Sequence, residues 1–344
     1  DVYLRAVTGD LCFTTTAWRG GAAPPPDTTA PVVSALRARQ AGVTIASVGS
    51  AAPVFTPNGD GLSDVMGISF ELSEAASLEV KVKRAGGVVR RYATQALAGT
   101  GLVNWNGRND NRKLVAEGKY NVYLTPTDAA GNRGASKHVT VKVLNSLKTP
   151  KVTPALFWAR DGDALASASA VKVKLIRPAT VTFAIRDSKG KVVRRLIVDT
   201  KRGAGEVRAV WNGKNDKGKW VPDGRYTARV RVETSSGWYA HDVIVRHMAF
   251  QGYTPKWKRQ RGDTVTLRIT SSEPLRGKPV VTANQKGIAK YQIPPRKVTR
   301  LSPTQFRVVI DTRKQSKAGE MKVRVVGTDK RGGNHSKVFA IRLT

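Results

Sequence analysis

Short runs in which hydrophobic and polar residues alternate recur along the whole chain. Examples are EVKVK at 79–83, VKVKL at 171–175 and ARVRVE at 228–233. A period of two puts successive side chains on opposite faces of a β-strand, so one face can pack into a core while the other meets solvent. Gly, Asn, Asp and Pro interrupt the runs, and no segment keeps a helical period over helical length. The pattern predicts an all-β protein with antiparallel strands.

The chain contains an internal repeat of about 100 residues, a length typical of one immunoglobulin-like sandwich. Residues 104–122, NWNGRNDNRKLVAEGKYNV, align without a gap to 210–228, VWNGKNDKGKWVPDGRYTA. Upstream, NGDGLSD at 58–64 aligns with DGDALAS at 161–167. The repeat therefore predicts two tandem immunoglobulin-like antiparallel β-sandwiches.

A third segment keeps the alternation, for example in VTLRIT at 264–269, but lacks the Trp-Asn-Gly signature. Its DKRGGN at 329–334 echoes DAAGN at 128–132, and both are typical of hairpin turns. GGAAPPPDTTAP at 20–31 is typical of a linker. The predicted arrangement is beads on a string: 1–26 is the end of an unassigned upstream β unit plus linker, 27–146 and 147–250 are two related immunoglobulin-like domains, and 251–344 is a generic one.

The positions that the two repeats share have structural explanations. In the Trp-Asn-Gly turn, the asparagine can hydrogen-bond its own backbone two residues on, and the glycine permits a positive φ. The tryptophan is predicted as a central core group rather than a carbohydrate-binding one, because it recurs at the same place. The tyrosine after the following turn is typical of a tyrosine corner. These residues are Trp105, Asn106, Gly107 and Tyr120, and Trp211, Asn212, Gly213 and Tyr226.

From Phe55 to Asn132 the chain resembles the immunoglobulin-like domain of flagellar hook-capping proteins, the FlgD-like type. The opening FTPNGDGLSD, the Trp-Asn-Gly turn and the Gly-x-Tyr strand occur in the family's order, after a DTTAPVVS lead-in at 27–34. The likeness covers about 27–246 as two copies, although the second copy begins differently, with Trp158 and Arg160 in its opening. The resemblance implies a spacer, stalk or interaction module of an exported protein, without catalytic residues.

The opening stretch NGDGLSD places three oxygen-bearing side chains around two glycines: Asn58, Asp60 and Asp64. Such a cage suits calcium, although an EF-hand is excluded because the bidentate glutamate is missing. In the second copy Asp161 and Asp163 hold the first and third places, but Ser167 replaces Asp64. The stretch is therefore interpreted first as an Asx-rich turn that opens each repeat, with calcium in the first copy as the alternative.

Other motifs of catalysis or metal binding are missing from the sequence. His241 and His247 share a strand face but would lie roughly 20 Å apart at 3.3 Å per residue, too far for one metal ion. Cys12 is the single cysteine and cannot form an intrachain disulfide. No nucleophile-elbow, zinc-protease, P-loop or dinucleotide motif occurs. The prediction is a protein that is not an enzyme; a Ser-His-Asp triad assembled from distant loops is the alternative left open.

The chain carries 59 basic and 25 acidic residues, a formal charge of +34. Net charge rises along it, from +1 over 1–52 and +4 over 53–145 to +12 over 146–250 and +17 over 251–344. Such a field favours polyanionic partners. No stretch has the roughly 20 apolar residues of a membrane span. The chain opens on Asp1 without a charged-then-apolar signal peptide, so we expect a processed product or an excerpt, with a signal peptide or catalytic domain upstream of it.

Pairs of basic residues on single strands share the solvent face, about 7 Å apart, so they could hold a polymer's phosphates or carboxylates. They also protect strands from edge-to-edge aggregation, which is the simpler explanation. Because they alternate with core-facing Val and Leu rather than with exposed aromatics, nucleic acid is disfavoured as a partner. The candidate polyanion-binding residues are Lys172, Lys174, Arg229, Arg231, Lys322 and Arg324.

The leading hypothesis is a non-enzymatic, extracellular stalk, adhesion or structural module at the cell surface. Its basic strand faces would hold it to an anionic cell-wall polymer or acidic glycan. One alternative is the C-terminal accessory region of a secreted hydrolase. Another is a subunit of a homo-oligomeric surface filament or layer, in which strands within 1–19 complete a neighbouring sheet.

Overall fold

The computed structural model describes residues 25–41, 47–48, 52–85, 87–312 and 318–344. The strands predicted within 1–19 and Cys12 lie outside this part. Apart from 3-10 structure at Pro295–Lys297 and at residue 312, the regular structure of the described residues is β-structure, as the alternating pattern predicts. No helix in these ranges has the length and apolar composition needed to cross a membrane.

Three β-sandwiches follow one another along the chain, and each has its own hydrophobic core. The strands of the first, domain 1, are β1 (Val33–Ala41), β2 (Ser47–Val48), β3 (Val54–Phe55), β4 (Val65–Leu72), β5 (Ala76–Arg84), β6 (Gly87–Ala96), β7 (Gly99–Trp105), β8 (Gly118–Thr127) and β9 (Lys137–Val143). Those of domain 2 are β10 (Lys151–Thr153), β11 (Leu156–Phe157), β12 (Ser169–Leu175), β13 (Ala179–Arg186), β14 (Val192–Arg202), β15 (Gly205–Trp211), β16 (Gly224–Thr234) and β17 (Gly237–His247). Those of domain 3 are β18 (Phe250–Tyr253), β19 (Lys258–Arg259), β20 (Thr264–Ser271), β21 (Val280–Gln285), β22 (Ile288–Gln292), β23 (Val298–Arg300), β24 (Gln305–Asp311), β25 (Gly319–Thr328) and β26 (Asn334–Leu343).

Each sandwich consists of a smaller and a larger sheet, and the order of strands is the same in the first two. Domain 1 pairs β1-β4-β7 with β3-β9-β8-β5-β6, and domain 2 pairs β10-β12-β15 with β11-β17-β16-β13-β14. Domain 3 pairs β18-β20-β24-β23 with β19-β26-β25-β21-β22. Along central strands such as β13 and β16, buried residues alternate with more exposed ones, because one face of the sheet covers the core.

One strand pair in each larger sheet is parallel. The short strands β3, β11 and β19 each run alongside the last strand of their own domain, β9, β17 and β26. The chain that follows each short strand therefore lies at the end of the sandwich from which the domain's last strand leaves. This constraint decides where the opening loops of the repeats lie.

A tryptophan occupies the centre of each of the first two cores. Trp211 is fully buried, with ring centroids 5.3 Å from Phe157 and 5.1 Å from Tyr226. Its indole Nε1 donates a hydrogen bond to the Lys214 carbonyl at 3.0 Å. Domain 1 repeats the arrangement with Trp105, Phe55, Tyr120 and the Arg108 carbonyl.

The turns around these tryptophans are fixed by local hydrogen bonds. Tyr226 Oη donates to the Pro222 carbonyl at 2.7 Å, and Tyr120 Oη makes the same bond to Ala116 at 2.6 Å. The asparagine side chains accept from the backbone N–H two residues on, Asn106 from Arg108 and Asn212 from Lys214, both at 3.3 Å. Gly107 and Gly213 have φ of +68° and +76°. A Cβ on Gly213 would also approach the His247 ring within 2.5 Å.

Replacing Trp211 by alanine should destabilise domain 2 by about 3–5 kcal/mol, because a large buried ring is lost and a cavity remains. Chemical denaturation of the full chain, followed by far-UV circular dichroism, measures this as an early unfolding transition. Trp220 lies in the same domain but is 41 % exposed, and its replacement by alanine is the matched control. Equal losses for the two variants would contradict a central role for Trp211.

Candidate functional site

The opening loops of the two repeats lie at the junctions between sandwiches. The loop of residues 56–64 follows β3 and lies where β9 leaves domain 1, and the loop of 158–168 follows β11 and lies where β17 leaves domain 2. Apolar packing crosses both junctions, since Val54 belongs to the core cluster of domain 2 and Trp158 to that of domain 3. The junctions are therefore packed rather than open linkers.

Hydrogen bonds to the Glu117 carboxylate close the junction between domains 1 and 2. Glu117 is 8 % exposed and accepts from the Asn145 backbone N–H at 2.7 Å and from the Ser146 hydroxyl. From domain 2, Thr234 Oγ1 donates to its second oxygen at 2.9 Å. One buried carboxylate thus ties domain 1, the connecting segment and domain 2 together.

A second set of bonds at this junction centres on Leu147 in the connecting segment. Its backbone N–H donates to the fully buried Tyr239 hydroxyl of domain 2 at 2.9 Å, and its carbonyl accepts from the Asn58 side-chain amide of domain 1. In addition, β2 pairs with Tyr239 and Ala240 on the edge of the larger sheet of domain 2. Domain 1 and domain 2 therefore both contribute hydrogen-bond partners to this junction.

The oxygens proposed for calcium in the first opening loop mostly accept backbone N–H groups. Both oxygens of Asp64 do so, from Gly59 at 2.8 Å and Gly61 at 2.7 Å. Asn58 Oδ1 and Asp60 Oδ1 close successive Asx turns, and only Asp60 Oδ2 of this set is buried without a hydrogen-bond partner. Calcium held by Asn58, Asp60 and Asp64 remains a prediction.

The second opening loop has the same Asx turns but contributes to a different arrangement. Asp161 Oδ1 and Asp163 Oδ1 accept from backbone N–H groups two residues on, as Asn58 and Asp60 do. Asp161 then meets three side chains of domain 3, and the candidate ligand atoms of all four lie within 4.8 Å of one another. The four residues of this junction cluster are Asp161, Glu273, Asp329 and His335.

The junction cluster is closed to solvent. The side chains of Asp161, Asp329 and His335 are 0 % exposed, and so is Glu273. His335 Nε2 lies 2.9 Å from Asp329 Oδ2 and 3.5 Å from Asp161 Oδ2. Because a carboxylate only accepts, this nitrogen donates to Asp329. Three backbone N–H groups, of Arg331, Gly332 and Gly333, donate to Asp329 Oδ1.

Burial shapes the electrostatics of the junction cluster. It raises the pKa of Glu273 to about 9, with further contributions from the negative charges of Asp161, Asp163 and Asp329. Burial also raises the pKa of Asp161. Burial also tends to raise the pKa of Asp329, but the hydrogen bonds from His335 and from the backbone outweigh it, so the pKa of Asp329 is lowered. The raised pKa values favour the neutral carboxyl forms, because the cluster lacks the positive charge that would keep all of its carboxylates ionised.

The two carboxylates of domain 3 have counterparts in domain 1 but not in domain 2. Glu273 lies two residues after the last residue of β20, and the same position holds Glu74 after β4 and Arg177 after β12. The backbone hydrogen bond just before this position is also the same in the three domains. The backbone N–H groups of Ser73, Ile176 and Ser272 each donate to the segment that enters their own domain. Asp128 closes the same hairpin as Asp329 and, with Asp27 and Glu74, forms a second, more exposed carboxylate group.

The candidate polyanion-binding residues lie on the solvent faces of their strands, but most have acidic neighbours. Arg229 makes a two-point ion pair with Asp242, both contacts at 2.7 Å, and Arg231 lies 2.8 Å from Glu233. Lys172 and Lys322 lie 3.4 and 3.9 Å from glutamates, Arg324 bonds the Ser336 hydroxyl, and Lys174 is exposed. The six residues do not form one surface. Four of them lie in domain 2, whereas Lys322 and Arg324 lie in domain 3.

The junction cluster is the arrangement that the sequence alone does not predict. Its members come from two domains and are brought together only when the opening loop of domain 2 meets domain 3. Two features of the sequence could have indicated its domain 3 members: the echo of DAAGN in DKRGGN, and the Ser-Glu pair that ends at Glu74 and recurs at Glu273.

Comparison with known proteins identifies the type of domain 2. Residues 161–236 match the family model of the FlgD Ig-like domain. Domain 2 is of the FlgD Ig-like type. The match lies in the second repeat and spans less than half of the chain, so the family assignment applies to this domain. Curated protein sequences include no relative that matches the chain.

Several solved structures are similar at low identity. A structure of a 1.5-MDa bacterial ice-binding adhesin is 13 % identical, with 92 % of this chain and 99 % of that chain covered and a TM-score of 0.22. A tetra-tandem repeat in the extending region of a large adhesion protein is 14 % identical, with 91 % and 75 % covered and a TM-score of 0.23. Alpha-2-macroglobulin from Escherichia coli is 9 % identical, with 90 % and 24 % covered and a TM-score of 0.25. TM-scores this low do not indicate a shared overall arrangement, so no function transfers from these proteins.

Replacing Glu117 by alanine should destabilise the junction between domains 1 and 2 by about 1–3 kcal/mol, because buried donors lose their acceptor. Hydrogen exchange measures the effect as faster exchange at the Asn145 amide, which donates to Glu117. The exposed Glu71 of the same domain, changed to alanine, is the control. Unchanged exchange at Asn145 in the Glu117 variant would show that this carboxylate does not hold the junction.

Proposed function

We propose that this chain is a non-enzymatic spacer of an extracellular protein, which holds a partner region at a fixed distance from the cell surface. The observation that carries the proposal is that successive sandwiches share buried, hydrogen-bonded junctions. A freely jointed chain of domains would not need the buried Glu117 at one junction or the buried Asp161 at the next. The FlgD Ig-like type of domain 2 is compatible with a structural role.

The direction of the chain through each sandwich supports a spacer. Each opening loop lies at the end where its domain's last strand leaves, and there it meets the loops of the next domain. Lys337 of domain 3 and Asp223 of domain 2 add an ion pair of 3.0 Å across the second junction. A chain that enters each sandwich at one end and leaves at the other extends with every added domain.

Small-angle X-ray scattering of the full chain tests the spacer. A compact globule of 344 residues would have a radius of gyration of about 20 Å, and we expect a value well above this for three domains in a row. We also expect the Glu117→Ala variant to broaden the distance distribution. A radius near the globular value would exclude a spacer.

The finer part of the proposal is retention at an anionic envelope. Lys172 and Lys174 support it, because they share the solvent face of β12 and Lys174 is exposed. Positive charge is densest in domain 3, which has 22 basic and five acidic residues over 251–344. Such a surface attracts a polymer of phosphates or carboxylates, and the attraction is weakened by salt.

Heparin–agarose chromatography with a salt gradient tests this retention, with heparin as the acidic glycan. Lys174→Gln should elute at lower salt than the parent chain, because a positive charge is removed from the exposed face of β12. Arg229→Gln is the control for a basic residue already paired with an acid, and it should move the elution less. Elution without salt dependence would contradict electrostatic retention.

A further inference from the structure

We propose that the junction cluster of Asp161, Glu273, Asp329 and His335 is a calcium-type divalent cation site that locks domain 2 to domain 3. The site is separate from the proposed spacer function, which would hold with or without an ion. The ligands would come from both domains: Asp161 from the opening loop of domain 2, and Glu273 and Asp329 from two loops of domain 3. A cation there would bind only when the two domains are docked.

Several carboxylate oxygens at the junction are buried and have no hydrogen-bond partner, and this is the first argument for a cation. Glu273 is 0 % exposed, and neither of its carboxylate oxygens has a hydrogen-bond partner. Asp161 Oδ2 and Asp163 Oδ2 are also buried without one. Leaving an ionised carboxylate buried and unpaired is costly, and buried charges in proteins are normally paired or bind a metal ion. The candidate ligand oxygens of Glu273 and Asp161 lie within 4.8 Å of one another across the junction.

The second argument is where acidic residues occur. Domain 3 has only five, and two of them, Glu273 and Asp329, lie within 4.8 Å of each other and of an aspartate from domain 2. Among the described residues, no lysine or arginine forms an ion pair with these three carboxylates, although the chain has 59 such residues. The gathering of rare acids away from abundant bases favours a cation as the missing partner.

The third argument is the comparison of the two junctions. At the junction of domains 1 and 2, Arg177 stands where domain 3 has Glu273, and Thr234 closes the hairpin that Asp329 closes in domain 3. That junction is closed by the hydrogen bond of Thr234 to Glu117. At the junction of domains 2 and 3, domain 3 supplies Glu273 and Asp329 instead, and these meet Asp161 of the equivalent opening loop in a cage of oxygens. The two junctions therefore have the same backbone arrangement but differ in the side chains that meet there.

The ligand types select the ion. Carboxylate oxygens suit hard cations such as Ca²⁺, which takes six to eight oxygen ligands at about 2.3–2.6 Å. His335 donates its Nε2 proton to Asp329, so in this arrangement it orients a ligand rather than binding the metal itself. Backbone carbonyls and water would complete the shell. A zinc site would instead need the His335 nitrogen without its proton.

Calcium titration of the chelator-treated full chain tests the proposal, by isothermal calorimetry and by thermal unfolding. We expect Glu273→Gln, and independently Asp161→Asn, to weaken calcium binding at least tenfold. Asp223→Asn is the matched control, because it removes a contact across the same junction without touching the cluster. It should keep calcium affinity within about twofold. Binding at the second carboxylate group, of Asp27, Glu74 and Asp128, is separated by repeating the titration in Glu74→Gln.

Thermal unfolding distinguishes a cation site from a proton shared between Glu273 and Asp161. With calcium about a hundredfold above its Kd, the parent chain should gain roughly 5–10 °C in Tm, and Glu273→Gln should gain nothing at this site. In chelator, Glu273→Gln should be as stable as the parent chain or more stable, because glutamine can be buried without taking up a proton or a cation. Calcium affinity unchanged in Glu273→Gln, or binding of zinc without calcium, would overturn the proposal.

Discussion

The parallel pairing of a two-residue strand with the last strand of its own domain is the constraint on which the junctions depend. Phe55 and Phe157 end these short strands, and each packs against the central tryptophan of its sandwich. The core thus anchors the strand, and the strand directs the loop that follows it to the exit end of the domain. An opening loop is usually regarded as part of the domain it opens, but here its side chains bind the next domain.

The two junctions show how one backbone arrangement accommodates different chemistry. At the first, Glu117 accepts from the connecting segment and from Thr234 of domain 2, and the Tyr239 hydroxyl accepts from Leu147, whereas Asp60 Oδ2 and Asn145 Oδ1 are buried without a hydrogen-bond partner. At the second, three carboxylates and one histidine meet, and the protein supplies too few donors. The buried Glu117 of the first junction is hydrogen-bonded within the protein, whereas the buried Glu273 of the second depends on protonation or on a bound cation.

The sequence predicted what is encoded locally. The alternation of hydrophobic and polar residues predicted the strands, and the internal repeat predicted the first two sandwiches. FTPNGDGLSD and the Trp-Asn-Gly turn indicated the FlgD Ig-like type, which the family match confirms for domain 2. It did not predict the junction cluster, because Asp161 and Glu273 are far apart in sequence and become neighbours only through the packing of two domains. In the first copy, NGDGLSD, the Asp64 carboxylate is occupied by backbone N–H groups of its own loop, whereas in the second copy Asp161 meets carboxylates of the next domain.

The strongly basic surface does not oppose a cation at the buried cluster as much as the net charge suggests. Surface lysines and arginines are surrounded by water and salt, and at physiological ionic strength their field decays over about 8 Å. The carboxylates of the cluster lie within 4.8 Å of one another and are shielded from solvent, where charges interact more strongly. The nearest charges therefore decide the local potential. A chain with a charge of +34 can attract polyanions from outside and still favour a small cation inside one junction, because the two interactions act at different distances.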